Sequence, residues 1–333
     1  MKALLRWSGW ASVLCVLAAI PSVLGPYYTN LFVSFAVFAV FSVSLNLLLG
    51  FTGLFSFGHA MFFGAGGYGT ALALKHIAGI ALLPALGLGV LAAAALALVL
   101  CPIVVRLSGT AFAMLHLAFS QVMYVLALKF RAITGGEDGI GNFPIPPLTI
   151  PGLASFPMKD SPGNFYYFAI TVLGLSLWLM WYFTKTPFGQ IQLGIRENAK
   201  RVDYLGFRVP HSKAVIYVVS AAFAGVAGSI YGLFHNLVSA DGSLGALVSF
   251  APIINIMIGG IGSFLGPVLG TAIFQIIEEL VSRFTDKVEL VIGLALVLVI
   301  MYAPMGVLGT ARALKQKWSG AAAAGSAAQD KKS

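Results

Sequence analysis

Catalysis or metal binding needs ionisable or ligating side chains at workable spacings, and this chain offers few. Its five histidines, His59, His76, His116, His211 and His235, are scattered and share no ligand spacing. Cys15 and Cys101 each lie in an apolar run, which suits buried thiols and supplies neither a disulfide frame nor a metal site. The glycine–lysine loop that cradles nucleotide phosphates, the paired-histidine zinc helix, the Cys-x-x-Cys pair and the nucleophile elbow are all missing. An enzymatic reading has no residues to carry it, and no cofactor or metal is expected in this chain.

Three other patterns remain. The first is a pair of glycine clusters. One runs from Gly50 through Gly53 and Gly58 to Gly64, Gly66, Gly67 and Gly69; the other runs from Gly259, Gly260 and Gly262 to Gly266 and Gly270. Glycine lets helix backbones approach closely, and it lets a helix unwind beside a cavity. Both readings fit. Under the second, two interrupted helices flank a pathway, and the recurrence of L-G-x-x-G and I-G-x-x-G in the two halves hints at an internal duplication, as an inverted repeat would supply.

The second pattern is a set of polar residues inside apolar runs: Asn46, Ser56, His59, His116, Gln121, Asn255 and Gln275. Facing lipid they are costly, so they are expected to face the bundle interior, most as interhelical hydrogen bonds. Gly50, Gly53, Ser56, His59, Asn255, Gly259 and Gly262 are the candidates for lining a path. No run holds a central Asp, Glu, Lys or Arg, which argues against a proton relay. Glu278, Glu279 and Arg283 fall at the end of a run, where solvation is expected.

The third pattern is the polar segment 186–211. Pro187 and Gly189 break the preceding run. From Gln190 to Leu205 the spacing predicts an amphipathic helix with Ile191, Ile195, Ala199, Val202 and Leu205 on one side and Arg196, Glu197, Lys200, Arg201 and Asp203 on the other. Gly206 suits its stop. A helix lying on a membrane surface and a helix that docks a partner fit this pattern equally.

These patterns sit in a frame that composition sets. The chain has 333 residues, 59% hydrophobic and 9% charged. Soluble domains carry roughly 25% charged residues, so the solvent here is the lipid bilayer. The fold class expected is all-α, a polytopic bundle of about ten membrane helices (about eight to eleven) at about 20 residues each. The spans read as 7–25, 28–49, 52–74, 80–105, 109–130, 165–184, 213–236, 246–261, 263–282 and 288–309. The net charge of +9 fits basic cytoplasmic loops, and nucleic-acid binding is not expected. Lys2 and Arg6, the loop 185–212 and the tail 311–333 are basic and belong inside. The loop 132–164, with Glu137, Asp138 and Asp160, belongs outside. Residues 1–310 then form one membrane domain with both termini cytoplasmic, and 311–333 is a basic tail with no core-forming pattern. Residues 1–25 could instead be a cleaved leader, but no small-x-small cleavage site precedes Pro26, which favours a retained span.

Four stretches, taken together, resemble the branched-chain amino acid permeases of bacterial ABC importers: S-L-N-L-L-L-G-F-T-G-L-F-S-F-G-H-A-M-F-F-G-A-G-G-Y (44–68), T-P-F-G-Q-I-Q-L-G-I-R-E-N-A-K-R-V-D-Y-L-G (186–206), S-A-A-F-A-G-V-A-G-S-I-Y-G (220–232) and G-G-I-G-S-F-L-G-P-V-L-G (259–270). The loop T-G-G-E-D-G-I (134–140) is similar to the LivM-type member of that family rather than its LivH-type partner. The resemblance implies a permease subunit of an ATP-driven importer in the bacterial inner membrane. A second related permease, two ATPase subunits that bind the ATP, and a soluble substrate-binding protein outside would complete it. It makes 186–206 the ATPase-coupling element, with Arg196, Glu197, Asp203 and Gly206 as its candidate residues. One departure from the general coupling motif is visible, since Glu197 is followed by Asn198 and not by alanine. The alternative, an ion-gradient-driven transporter of small polar solutes, accounts equally well for interrupted helices.

Overall fold

Helix α1 (Gly25–Asn46), with Pro26 in its first turn, continues into a π-helical turn (Leu47–Thr52). Every residue from 39 to 52 is buried. A helix that is apolar all round belongs in an interior, and the inner half of α1 is buried there. The computed structural model describes residues 20–23, 25–150, 154–158 and 162–285, with 290, 291, 293, 294, 301, 306, 307 and 309. The spans expected at 7–25 and 288–309 lie largely outside these, and Cys15 and the tail 311–333 lie wholly outside them.

After α1 come α2 (Ala60–His76), α3 (Leu82–Val104), α4 (Gly109–Lys129), the short α5 (Arg131–Thr134) and α6 (Pro162–Lys185). Then follow α7 (Pro187–Tyr204), α8 (Val209–His235), the one-turn α9 (Ala240–Leu244), α10 (Ala246–Gly259) and α11 (Gly266–Ser282). Helices α6, α8, α10 and α11 pack on α1, while α2, α3 and α8 pack on one another. That three-helix unit is built on absent side chains. A Cβ at Gly66 would fall 2.2 Å from the Gly225 carbonyl oxygen, and one at Gly228 only 1.8 Å from that of Phe63. Thr70 Oγ1 donates to Ser229 Oγ at 2.8 Å, and Ser229 Oγ to the Gly66 carbonyl at 3.0 Å, closing the contact with polar groups.

Among the described residues, six helical stretches are long and apolar enough to cross a membrane: Gly25–Thr52, Leu82–Val104, Gly109–Lys129, Pro162–Lys185, Val209–His235 and Ala240–Gly259. The expected boundaries at 52–74 and 263–282 shift for one reason. Helices α2 and α11 have 17 residues each, short of the roughly 20 that a crossing needs, because each starts after an irregular glycine-containing stretch, 53–59 or 260–265.

At the end of the bundle remote from α7, the loop after α4 is tied down. Gly135, Gly136 and Gly139 all have positive φ. They fold 134–140 back so that β1 (Ile140–Gly141) pairs antiparallel with β4 (Leu237–Val238), just past α8. A second pair, β2 (Leu148–Ile150) and β3 (Ala154–Phe156), forms within the proline-rich stretch. Arg131 Nη2 lies 3.9 Å from Glu137 Oε2, both side chains solvated.

Candidate functional site

The first glycines of both clusters meet at one place. The π turn of α1 closes with Gly53 at φ +76°. Its carbonyls are mostly satisfied locally: Leu48 accepts from the Leu54 amide at 2.9 Å, Leu49 from the Gly53 amide at 3.2 Å, and Leu47 from Thr52 Oγ1 at 3.2 Å. On the other side, α10 stops at Gly259, the chain turns through Gly260 (φ +111°) and Gly262 (φ +86°), and α11 begins at Gly266. The two breaks abut. A Cβ at Gly50 would fall 3.1 Å from the Gly262 nitrogen and 2.1 Å from Asn46 Oδ1. Asn46 Nδ2 donates to the Ser263 carbonyl at 3.1 Å.

Helix α7 is wedged against this joint. Thr186 caps it, its side chain accepting from the Gly189 amide at 3.3 Å, and Pro187 occupies the first turn. Arg196 Nη1 donates to the Gly50 carbonyl. A Cβ at Gly53 would lie 3.2 Å from Arg196 Cγ, and one at Gly262 would lie 2.8 Å from Arg196 Nη1, so the side chain spans both breaks. Gln192, fully buried, accepts from Thr52 Oγ1 at 3.3 Å and donates to the Ser212 carbonyl in α8 at 3.1 Å.

The single helix expected over 190–205 is two. Asn198 has φ −158° and ψ 96°, and its Oδ1 accepts from the Arg201 amide at 3.0 Å. That is an N-cap for a second short helix, which gives the departure from the family motif a physical role. Past it, Gly206 (φ +88°) closes a Schellman stop: its amide donates to Asp203 at 2.9 Å, and that of Phe207 to Val202 at 3.3 Å. Ile195 and Val202 are buried, whereas Tyr204 is 87% exposed and Leu205 70%, so Leu205 leaves the apolar stripe assigned to it. Glu197, Lys200, Arg201 and Asp203 are exposed. Arg196 is exposed as well, but its guanidinium reaches back to the Gly50 carbonyl.

Within the bundle, Asn46, Ser56, His59, His116 and Asn255 are buried, and Gln121 and Gln275 are half-buried. Asn255 Nδ2 donates to Ser42 Oγ at 2.9 Å, while Ser44 Oγ and His59 Nε2 are hydrogen-bonded at 2.9 Å. Ser42 and Ser44 lie on opposite sides of α1, since two residues turn a helix through roughly 200°. The path candidates therefore divide. Gly50, Gly53 and Gly262 meet at the joint, Asn255 and Gly259 lie on α10 against α1 and α11 respectively, and Ser56 and His59 lie in the irregular stretch before α2. His59 also stacks on Phe41, and His116 Nε2 is 2.8 Å from Tyr217 Oη. Among the described residues no three His, Cys, Asp or Glu side chains converge as a metal site. Sequence reasoning passed over Gln192, although its spacing of three, seven and ten from Ile195, Ala199 and Val202 places it on the buried stripe.

An apolar helical bundle with interrupted helices and an amphipathic helix at one end is a multi-pass membrane protein. The chain belongs to the family described as "Branched-chain amino acid transport system / permease component", which matches residues 27–305. It is 28% identical over 305 residues to the high-affinity branched-chain amino acid transport system permease protein LivM of Escherichia coli K12, covering 86% of this chain and 71% of that one. A probable branched-chain amino acid transport permease protein LivM from Methanocaldococcus jannaschii is 23% identical over 326 residues, covering 82% and 91%. The E. coli LivH permease protein matches only 115 residues, 34% of this chain, at 31% identity. No solved structure matches. The chain is thus of the LivM type.

Proposed function

We propose that this chain is the membrane-spanning permease subunit of an ATP-driven importer of branched-chain amino acids. A second, related permease lies beside it, two ATPase subunits bind ATP on the cytoplasmic side, and a soluble binding protein delivers substrate from outside. Its place is the bacterial inner membrane, with both termini cytoplasmic. The observation that carries this reading is α7. Its inner face is locked to α1, α8 and the α10–α11 turn, and its outer face is charged and exposed, which is the build of an element that passes movement from a partner into the spans. Lys185, Lys200, Arg201 and Arg208 gather at that end of the bundle, which favours the cytoplasmic side for it. The names of the relatives supply the substrate class. The joint at Gly50, Gly53 and Gly262 lets the interrupted helices rearrange, and Ser56, His59, Asn255 and Gly259 lie on the elements that would move.

The test is reconstitution of the full assembly in proteoliposomes with radiolabelled leucine, isoleucine and valine. Uptake is expected to need ATP on the ATPase side, the ATPase subunits and the loaded binding protein. Uptake by this chain alone under a sodium or proton gradient would refute the proposal in favour of secondary transport.

A further inference from the structure

We infer that Arg196 is a positioning residue which, with Gln192, latches the inner half of α7 to the glycine joint, while docking of the ATPase falls to the outer half, 199–207. The inference rests on the coupling role proposed above and divides it between two sets of residues.

The geometry separates them at Asn198. Before it, α7 is held from three directions. Arg196 Nη1 donates to the Gly50 carbonyl, which lies in the last turn of the π segment, where helix carbonyls lack intrahelical partners and the helix dipole favours a cation. The same side chain lies over Gly53 and Gly262, the left-handed residues that end one interrupted helix and turn the other. Gln192 adds a tie to Thr52 and another to Ser212. After Asn198 the second short helix presents Tyr204 and Leu205 almost free of the bundle, and Glu197, Lys200, Arg201 and Asp203 are exposed around it. An apolar tip ringed by charge suits a protein groove, whereas the Arg196 side chain, although exposed along part of its length, turns its Nη1 inward to the Gly50 carbonyl.

The chemistry suits a moving part. A carbonyl at a helix terminus changes direction when the helix end turns, and the glycines on either side absorb such changes in φ and ψ. A guanidinium bonded there follows the helix end. A shift of α7 therefore reaches α1 and the α10–α11 turn together, through one side chain.

The experiment uses the full importer in proteoliposomes, with Arg196→Ala, Arg196→Lys and Tyr204→Ala beside wild type. Three quantities are read: ATPase co-purified per permease, ATP hydrolysed in response to loaded binding protein, and radiolabelled leucine, isoleucine and valine taken up per ATP. Arg196→Ala is expected to hold the ATPase at wild-type stoichiometry while uptake per ATP falls roughly tenfold, a typical loss of coupling between sites. Arg196→Lys keeps a cation within reach of the carbonyl and is expected to recover much of that loss. Tyr204→Ala is expected to lose the ATPase itself. If Arg196→Ala sheds ATPase as Tyr204→Ala does, Arg196 is a docking residue and the division fails. If uptake per ATP is unchanged in Arg196→Ala, or Lys fares no better than Ala, the latch fails while the proposed function stands. Wild type with no ATP-dependent uptake overturns both.

Discussion

Adding one methyl group to two different glycines should move stability in opposite directions. Gly228 in α8 faces α2, where a new Cβ would sit 1.8 Å from the Phe63 carbonyl oxygen and 2.6 Å from its carbon. Both partners are backbone, so neither can swing aside. Ordinary contact begins near 3.4 Å, and α8 and α2 must part by about 1.6 Å. A gap of about 1 Å already forfeits up to half of the dispersion well, and overpacking of this kind typically costs about 1–3 kcal/mol. The Thr70–Ser229 and Ser229–Gly66 hydrogen bonds lie in the same interface and add about 0.6 kcal/mol each. Against this, Ala gains about 1 kcal/mol over Gly in a helix interior. Gly228→Ala should therefore lose about 2 kcal/mol net, or about 4–8 °C in the apparent melting temperature. Gly87 in α3 has nothing within 4 Å of its would-be Cβ. Gly87→Ala keeps only the propensity gain and should rise by about 2–4 °C. The monodisperse fraction left after heating in detergent measures both. If the two variants melt together, α2 and α8 are not in backbone contact and the account of the glycine clusters fails.

Two further outcomes follow from the same geometry. Gly206→Val places a β-branched residue at φ +88°, where L-residues lose about 1–2 kcal/mol; the Schellman stop should fray, and ATPase co-purification and uptake should both drop while the purified permease stays monodisperse. Cysteines introduced as Asp138→Cys and Lys200→Cys, both at exposed positions, should react with membrane-impermeant maleimide from opposite faces, and labelling of both in intact cells would overturn the orientation.

Much of the bundle was legible because lipid imposes a coarse rule. A run of about 20 apolar residues must be a helix, so α3, α4, α6 and α8 fall close to their expected bounds. The interruptions were legible as glycine, but their extent was not. Leu54, Phe55 and Phe57 continue the apolar run after Gly53, so nothing in hydropathy shows that 53–59 is irregular and that α2 waits until Ala60. At the candidate site, periodicity put Arg196 beside Glu197 on a solvated face. Its partner is a carbonyl 146 residues earlier in the chain, and helical spacing carries no information about such a partner. Asn198 was visible as a departure from a motif. Its reading as a cap needed φ, ψ and the Arg201 amide.

The irregular stretch before α2 also explains why so many polar side chains sit at membrane depth. Backbone outside a helix is tolerated in a bilayer only where protein covers it and supplies partners. Leu54, Ser56, Gly58 and His59 are buried. The first amide of α2, at Ala60, donates to Ser249 Oγ at 3.1 Å, and His59 bonds Ser44. A Cβ at Gly58 would strike the His116 carbonyl oxygen at 2.0 Å, so α4 closes over the stretch without room to spare. Ser249 therefore serves the start of a helix inside the bundle, and Ser44 holds the His59 side chain just before it. The side-chain ties of this break run to α1 and α10, beside the local bonds from the Met61 amide to Gly58 and the Phe62 amide to His59, so movement of those helices reaches the break. A displacement of the end of α1 at Gly50 acts directly on the segment that follows Gly53, and that segment sets where α2 begins.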